Sequence, residues 1–362
     1  MAEGAEPGHG SLIPTAGEAS DAFDRFERAG AHAAAAAGGP FVTRIALPGI
    51  VVDIEFSSER LREQMGRPFA HLLTEAGPPG LRITAWESEE SGVPLPEGLP
   101  SPGSVYLQSL PALRDDGRTL WAFHRPDPGL TAFDAAHSRA VYWVPDSGAL
   151  TFGDIAGGFR AIFAWAMAAR GLRFLHSAAV AWRGRAALIA GPSGSGKSST
   201  ALSCLAAGLD YLGDDHCLLD LREGPTVHSV YAAAKLHTAQ MERFPEFAPY
   251  VVNPMRTEGE KAVAILMPAF SDRLPRRAPI AAVLAPRVSG AATTTFERMP
   301  AGGGLAALAP STLLQMAAAD RGSLAAMAEL VRRVPCYRVN LGTDKVEVAE
   351  AVRAFLEREG AP

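Results

Sequence analysis

From Phe41 onward apolar and polar residues alternate with a period of two. Thr43-Arg44-Ile45-Ala46-Leu47, Ile50-Val51-Val52-Asp53-Ile54-Glu55-Phe56 and Leu81-Arg82-Ile83-Thr84-Ala85-Trp86 each read as a short strand, because successive strand side chains point to opposite faces. Leu120-Trp121-Ala122-Phe123-His124 and Ala140-Val141-Tyr142-Trp143-Val144 continue the pattern between Pro/Gly-rich turns. Residues 41–150 are therefore predicted to form a smaller, β-rich N-terminal domain, with no catalytic motif of its own. Ahead of it, the Ala/Gly-rich residues 1–40 predict a mobile leader with a short helix over 22–31.

The period then changes. Phe159, Ile162, Phe163, Ala166 and Met167 fall at helical spacing, with Asp154 as the expected N-cap and Gly171 as the stop, so residues 151–173 read as a connecting helix. Strand-like 174–182 and 185–190 flank the turn Arg183-Gly184. Farther on, Ser311 and Ser323 are expected to cap two apolar helices, 336–341 reads as a strand, and Thr343 is expected to cap a last helix. Gly302-Gly303-Gly304 reads as a flexible loop. Strands and helices intermix over 174–360, which predicts an α/β second domain.

Composition narrows the field. A chain of 362 residues suggests two domains, and 48% hydrophobic with 20% charged residues excludes a wholly disordered or fibrous protein. Thirty-four basic against 39 acidic residues give a net charge of -5, which argues against a dedicated nucleic-acid or polybasic membrane binder. Cys204, Cys217 and Cys336 are too scattered for a disulfide framework or a zinc ribbon. The first twenty residues hold no Lys or Arg and no apolar stretch, so no secretory signal is expected. The longest clean apolar run, 161–169, falls short of the roughly 20 residues that cross a bilayer. These features predict a soluble, cytoplasmic protein with no nucleic-acid or membrane partner; a homo-oligomer is left open. Only four lysines (Lys197, Lys235, Lys261, Lys345) stand against thirty arginines, so each lysine invites the question of what an ammonium does there.

Gly191-Pro192-Ser193-Gly194-Ser195-Gly196-Lys197-Ser198 fits G-x-x-x-x-G-K-[ST] in full, between an apolar strand and a helix carrying Leu202 and Leu205. Such a loop turns backbone N–H groups toward phosphate at a helix N-terminus. ATP is the expected cofactor, held by Gly191, Ser193, Gly194, Ser195, Gly196, Lys197, Ser198 and Ser199. Lys197 would neutralise the β- and γ-phosphates and Ser198 would hold Mg2+; the plainer alternative is a Gly/Ser-rich hairpin with an exposed lysine. Seventeen residues past Lys197, Asp214-Asp215 stand beside a strand. Two adjacent acids can divide the work, one orienting a metal and one accepting a proton, or they can be a solvated turn. His216 reads as a turn or packing residue. Lys235, Arg256 and Lys261 are candidates for a second positive clamp on phosphate, against the plainer reading as surface charges.

His176-Ser177-Ala178-Ala179-Val180, the loop 191–198 and Gly213-Asp214-Asp215 together resemble the catalytic core of the HPr kinase/phosphorylase family, in order and spacing over residues 174–222. The resemblance implies a P-loop kinase core of the HPr kinase/phosphoenolpyruvate carboxykinase type. It implies that Lys197 binds phosphates, Ser198 and Asp215 hold Mg2+, Asp214 is the general base and His176 lies beside the reacting phosphate. The family's Glu-Ile-Arg-Gly signature is missing after the acidic pair, where this chain has His228-Ser229-Val230-Tyr231-Ala232-Ala233-Ala234-Lys235-Leu236. The chain looks more like the HPr kinase-like proteins that accompany peptide-modification systems, some of which phosphorylate a C-terminal Ser of lasso-peptide precursors. That resemblance implies a Ser/Thr hydroxyl of a peptide or small protein as acceptor. The alternatives are a nucleotide-sensing regulator and a kinase of a small-molecule hydroxyl.

Overall fold

The computed structural model describes residues 16–99, 113–115, 119–123, 129–256, 259–316 and 319–358. Its first element, α1 (Ala16–Ala36), corrects the expectation of a mobile leader for those residues. Phe23 and Phe26 are buried, and Phe26 stacks on Trp121 with ring centroids 5.8 Å apart. Arg139 reaches back to Glu27 at 2.5 Å and Asp24 at 3.4 Å, so apolar burial and charge both hold the helix down. Residues 1–15 of that leader lie outside the described residues.

Under α1 lies a seven-stranded sheet in the order β1-β2-β3-β7-β6-β5-β4. Its strands are β1 (Phe41–Leu47), β2 (Ile50–Phe56), β3 (Leu81–Glu87), β4 (Leu113–Asp115), β5 (Thr119–Phe123), β6 (Leu130–Asp134) and β7 (Arg139–Val144). Ile45 faces Val52 and Leu47 faces Ile50 in the first antiparallel pair. β2 and β3 run parallel, as do β3 and β7, and parallel neighbours need a crossover that a strands-only reading lacks. Helix α2 (Glu59–Gly66) supplies the first one. Its N-cap Ser58 accepts from the Leu61 N–H at 3.1 Å and donates its own hydroxyl to Glu87 at 2.9 Å. A short turn of helix, α3 (Ser88–Ser91), follows β3.

The connecting helix is two helices. α4 (Phe152–Gly157) is capped by Thr151, with Asp154 returning the bond from the third position of a capping box, so Asp154 is not the N-cap. α5 (Arg160–Ala168) starts after a break at Gly158-Phe159, where Phe159 takes a left-handed conformation, φ 61°. The Tyr231 hydroxyl donates to the Gly158 carbonyl that the break frees, at 2.9 Å.

The second sheet runs β11-β9-β10-β16-β13-β12-β8, with β18 joining β16 to β17. Here β8 is Arg173–Leu175, β9 Ala178–Trp182, β10 Arg185–Ile189, β11 Asp210–Gly213, β12 Cys217–Asp220 and β13 Thr226–His228. β14 (Ala233–Leu236) and β15 (Ala262–Ile265) form a separate ribbon. The long β16 (Arg277–Ala291), β17 (Thr295–Met299) and β18 (Cys336–Gly342) complete the set. β10, β16 and β18 are parallel, so their C-terminal ends open on one edge. α6 (Lys197–Ala206) and α10 (Lys345–Arg358) share a core with the ribbon on one face; α8 (Ala301–Gln315) and α9 (Arg321–Arg333) pack on the other. The four-residue α7 (Thr238–Met241) follows β14.

Three local expectations are corrected. Ser311 is buried inside α8, and the cap of α9 is Asp320, whose carboxylate accepts from Ser323 N–H at 2.8 Å. Asp344, not Thr343, accepts the free N–H groups of α10, from Val346 at 2.6 Å and Glu347 at 3.1 Å. Gly302-Gly303-Gly304 is the first turn of α8 rather than a loop, because a Cβ at Gly304 would overlap Cys336 of β18 and only glycine lets helix and strand approach so closely.

The two sheets are not separate bodies. Ile54, Phe56, Phe69 and Tyr142 from the N-terminal half share one core with Phe159, Phe163, Leu218, Val230 and Tyr231. Phe69 and Tyr231 lie 5.4 Å apart between centroids, and the Ala232 N–H donates to the Pro68 carbonyl at 2.7 Å.

Candidate active site

The residues singled out by motif converge on the loop between β10 and α6. β10 is wholly apolar and buried after Arg185, and α6 turns Leu202 and Leu205 into the core, so both flanks are fixed by packing. Between them the chain reverses through Gly194, φ 80°, and Gly196, φ 106°, which forms the left-handed N-cap of α6. At Gly196 a side chain meets two obstacles: the positive φ, and the Leu341 side chain of β18 where a Cβ would stand. α6 therefore begins at Lys197, and Ser198 and Ser199 occupy its first turn. The Lys197 ammonium donates to the carbonyls of Gly191 at 2.8 Å and Pro192 at 3.1 Å, folded back over its own loop. Burial lowers the pKa of this ammonium, while Asp215 and Asp214 hold it up.

Asp214 and Asp215 follow β11 directly. The Ser198 hydroxyl donates to Asp214 Oδ1 at 2.8 Å. The sequence reading pairs Ser198 with Asp215 for the metal; the structure sets Ser198 against Asp214 instead. Asp214 Oδ2 is buried and accepts no hydrogen bond among the described residues. Burial, with the Asp215 charge beside it, raises the Asp214 carboxyl to about 6 against the partial relief given by Lys235 and the Ser198 hydroxyl.

Asp215 has different company. Its backbone is left-handed, φ 68°, which for a non-glycine residue is strain held by surrounding contacts. Lys235 of β14 meets its Oδ2 at 2.5 Å, and His176 Nε2 lies 3.6 Å from its Oδ1. Burial pushes this carboxyl up, but the Lys235 ammonium beside it outweighs burial and holds Asp215 ionised, far below the ordinary range. The surface reading of Lys235 is thereby corrected: lysine and aspartate are both buried.

His176 sits in the turn between β8 and β9, its backbone N–H donating to the Thr312 hydroxyl of α8 at 3.1 Å. Burial lowers its pKa to about 4, so the imidazole is neutral at pH 7, and Nδ1 has no hydrogen-bond partner among the described residues. His216 packs edge-on between His176 and Tyr231, ring centroids 6.1 and 5.9 Å away, and burial keeps it neutral too. On the far side, Gln240 of α7 donates to the Ser199 hydroxyl at 2.6 Å. Sequence reasoning missed Gln240, whose position depends on a turn after β14 that no motif marks. Lys261 is half-buried, and its charge reaches Asp214, His176, Lys197 and His237.

The Ser198 hydroxyl and the Asp214 carboxylate, with its orphaned buried oxygen, are hard oxygen donors of the kind that suits Mg2+ completed by water and phosphate. Among the described residues no group of three or more His, Cys, Asp or Glu side chains is placed to hold a metal. Among the described residues no helix is long and apolar enough to cross a membrane.

No family model matches the chain, and no curated protein matches it. Among solved structures it is similar to the Hpr(Ser) kinase/phosphatase from Coxiella burnetii, at 8% identity over 51% of this chain and 96% of that one, with a TM-score of 0.30. At that score the likeness carries no structural argument.

Proposed function

We propose that the chain is an ATP-dependent kinase that transfers the γ-phosphate to a Ser or Thr hydroxyl of a peptide or small protein. The observation that carries the reading is the Ser198–Asp214 hydrogen bond at the N-terminus of α6, with the orphaned Asp214 Oδ2 beside it and Lys197 one residue before. A lone phosphate-binding loop needs no second acid, whereas this site holds two, in unlike environments.

Each residue then has a task. Lys197 exchanges its two carbonyl partners for phosphate oxygens, and the N–H groups of the loop, including those of Gly194, Ser195 and Gly196, offer donors to the same anion. Ser198 and Asp214 would hold Mg2+, which supplies charge neutralisation on the phosphates when bound. The base assigned to Asp214 by the resemblance moves to Asp215, since Asp214 faces the Ser198 hydroxyl. Asp215, fixed by Lys235, orients the acceptor hydroxyl and takes its proton as the new O–P bond forms and the γ-phosphate leaves ADP. A strongly basic carboxylate is not needed, because the hydroxyl proton departs late in a loose phosphoryl-transfer transition state. Neutral His176 lies beside Asp215 without adding positive charge. The peptide or protein class of the acceptor rests on the sequence resemblance over 174–222 alone.

The test is transfer of label from γ-labelled ATP to Ser- and Thr-containing peptides by the full chain, with Asp214→Asn and Asp215→Asn compared. Asp214→Asn is expected to raise the Mg2+ concentration needed for half-maximal rate. Asp215→Asn is expected to keep Mg-ATP affinity while transfer falls about 100-fold or more. The opposite pattern restores Asp214 as base. Full transfer by both variants reduces the acids to a turn. ATP binding by wild type with no transfer to any hydroxyl supports the regulator instead.

A further inference from the structure

Of the four lysines, three have their partners settled. Lys197 donates to Gly191 and Pro192, Lys235 is paired with Asp215, and Lys345 is paired with Glu246 at 2.9 Å. The ammonium of Lys261 makes no hydrogen bond or ion pair among the described residues, yet its backbone is pinned. Asn253 accepts from the Val263 N–H at 2.7 Å and donates to the Lys261 carbonyl at 2.9 Å, clasping the chain on both sides of Ala262. In the β14–β15 register Leu236 faces Ala262, so Lys261 falls at the ribbon end where α7 begins and Gln240 reaches Ser199. The ribbon thus brings a second lysine to the mouth of the site, beside the one already spent on Asp215.

Charge adds an independent reason. With Lys235 spent on Asp215, Lys261 brings an ammonium that has no carboxylate of its own among the described residues. A half-buried ammonium without a counter-charge is a standing cost that a bound anion would relieve. Arg256 does not figure among the leading charges at either acid.

We propose that Lys261 is the second cation of the phosphate clamp, binding the γ-phosphate of ATP from the β14–β15 ribbon while Lys197 binds from the start of α6. The proposal rests on the kinase reading, and it makes a prediction about binding that requires no acceptor. A residue on the γ-phosphate distinguishes ATP from ADP, whereas a residue that merely shapes the site affects both.

The experiment titrates Mg-ATP and Mg-ADP separately into the full chain as wild type, Lys261→Gln, Lys261→Arg and Lys345→Gln, with a thermal melt of each. Lys261→Gln is expected to lose about tenfold in ATP affinity and to keep ADP affinity within about twofold. Lys261→Arg should recover most of the loss, and Lys345→Gln should leave the ATP-to-ADP ratio unchanged. An equal loss for both nucleotides, or unchanged ATP affinity in a folded Lys261→Gln, overturns the proposal while leaving the kinase reading intact. A wild-type chain that binds neither nucleotide overturns both. Should Lys261→Gln melt far below wild type, a Lys261→Arg variant without ATP preference overturns the proposal by itself.

Discussion

Asp215 and Lys235 illustrate how unlike the fates of adjacent side chains can be. Their pairing at 2.5 Å, with both side chains about nine-tenths out of water, places two charges where each needs the other. Replacing one partner strands the second, so Lys235→Met is expected to cost roughly 3 kcal/mol or more in denaturant unfolding. The double variant Lys235→Met/Asp215→Asn should recover most of that, since neither buried charge is left. If the single variant is as stable as wild type, Asp215 has another counter-charge. His71 provides a second test at this scale, away from the acids. Its Nε2 meets the Ser229 hydroxyl at 2.9 Å, and burial, with Arg276 nearby, lowers its pKa from 6.5 to about 4. Above pH 6.5 both folded and unfolded states hold it neutral, and it contributes no pH dependence. Between about pH 6.5 and 4 the unfolded chain binds a proton that the folded chain refuses, so stability falls as pH falls, by on the order of 3 kcal/mol once below that window. His71→Gln should flatten part of the decline in unfolding free energy between pH 7 and 4.5; an unchanged slope would assign that decline to other groups.

At the scale of elements, the motif-bearing segments were the legible ones. β10, the 191–198 loop and α6 announce themselves locally, because an apolar strand, a run of glycines and a helix start are all set by neighbours in sequence. What sequence could not supply were features decided by distant contact. Residues 151–173 look like one helix by apolar spacing, yet the break at Gly158-Phe159 depends on Tyr231, 73 residues away, taking the freed carbonyl. Lys235 looks like a surface charge until β14 is seen folded against Asp215. The glycines 302–304 look like a loop because their use is to let α8 approach β18. That last case predicts a contrast. Alanine is ordinarily better than glycine in a helix by up to about 1 kcal/mol, and at Gly302, with open space around a new Cβ, Gly302→Ala should leave stability unchanged or raise it. At Gly304 the same change must displace Cys336, and overpacking costs about 1–3 kcal/mol, so Gly304→Ala should lower the melting temperature. Equal effects at both sites would mean that β18 gives way freely.

For the whole molecule, the decisive fact is that the seven-stranded sheet and the half that carries the 191–198 loop divide one core. Period-two patterning marked residues 41–150 as a unit, and patterning records only which positions are apolar, not what covers them. What covers them is the other half of the chain. Phe69 packs edge-on against Phe163 at 5.7 Å and tilts over Tyr231, and Arg276 donates across the junction to the carbonyls of His71 at 3.2 Å and Leu73 at 3.0 Å. A truncation that removes residues 1–150 would therefore bare Phe159, Phe163, Val230 and Tyr231 and leave the Gly158 break without its surroundings, so the 151–362 fragment is expected to aggregate rather than to bind nucleotide. The intact chain is expected to unfold in one cooperative transition, with near-ultraviolet signals from Trp86 and Trp121 in the first half changing in step with loss of nucleotide binding at the second. Two separated transitions, or a soluble fragment that binds ATP as the full chain does, would show that the shared core is not what couples them. If the coupling holds, the packing of Tyr231 edge-on against His216, and of His216 against His176 beside Asp215, makes the N-terminal sheet, through the core it shares with Tyr231, a support for the acidic pair.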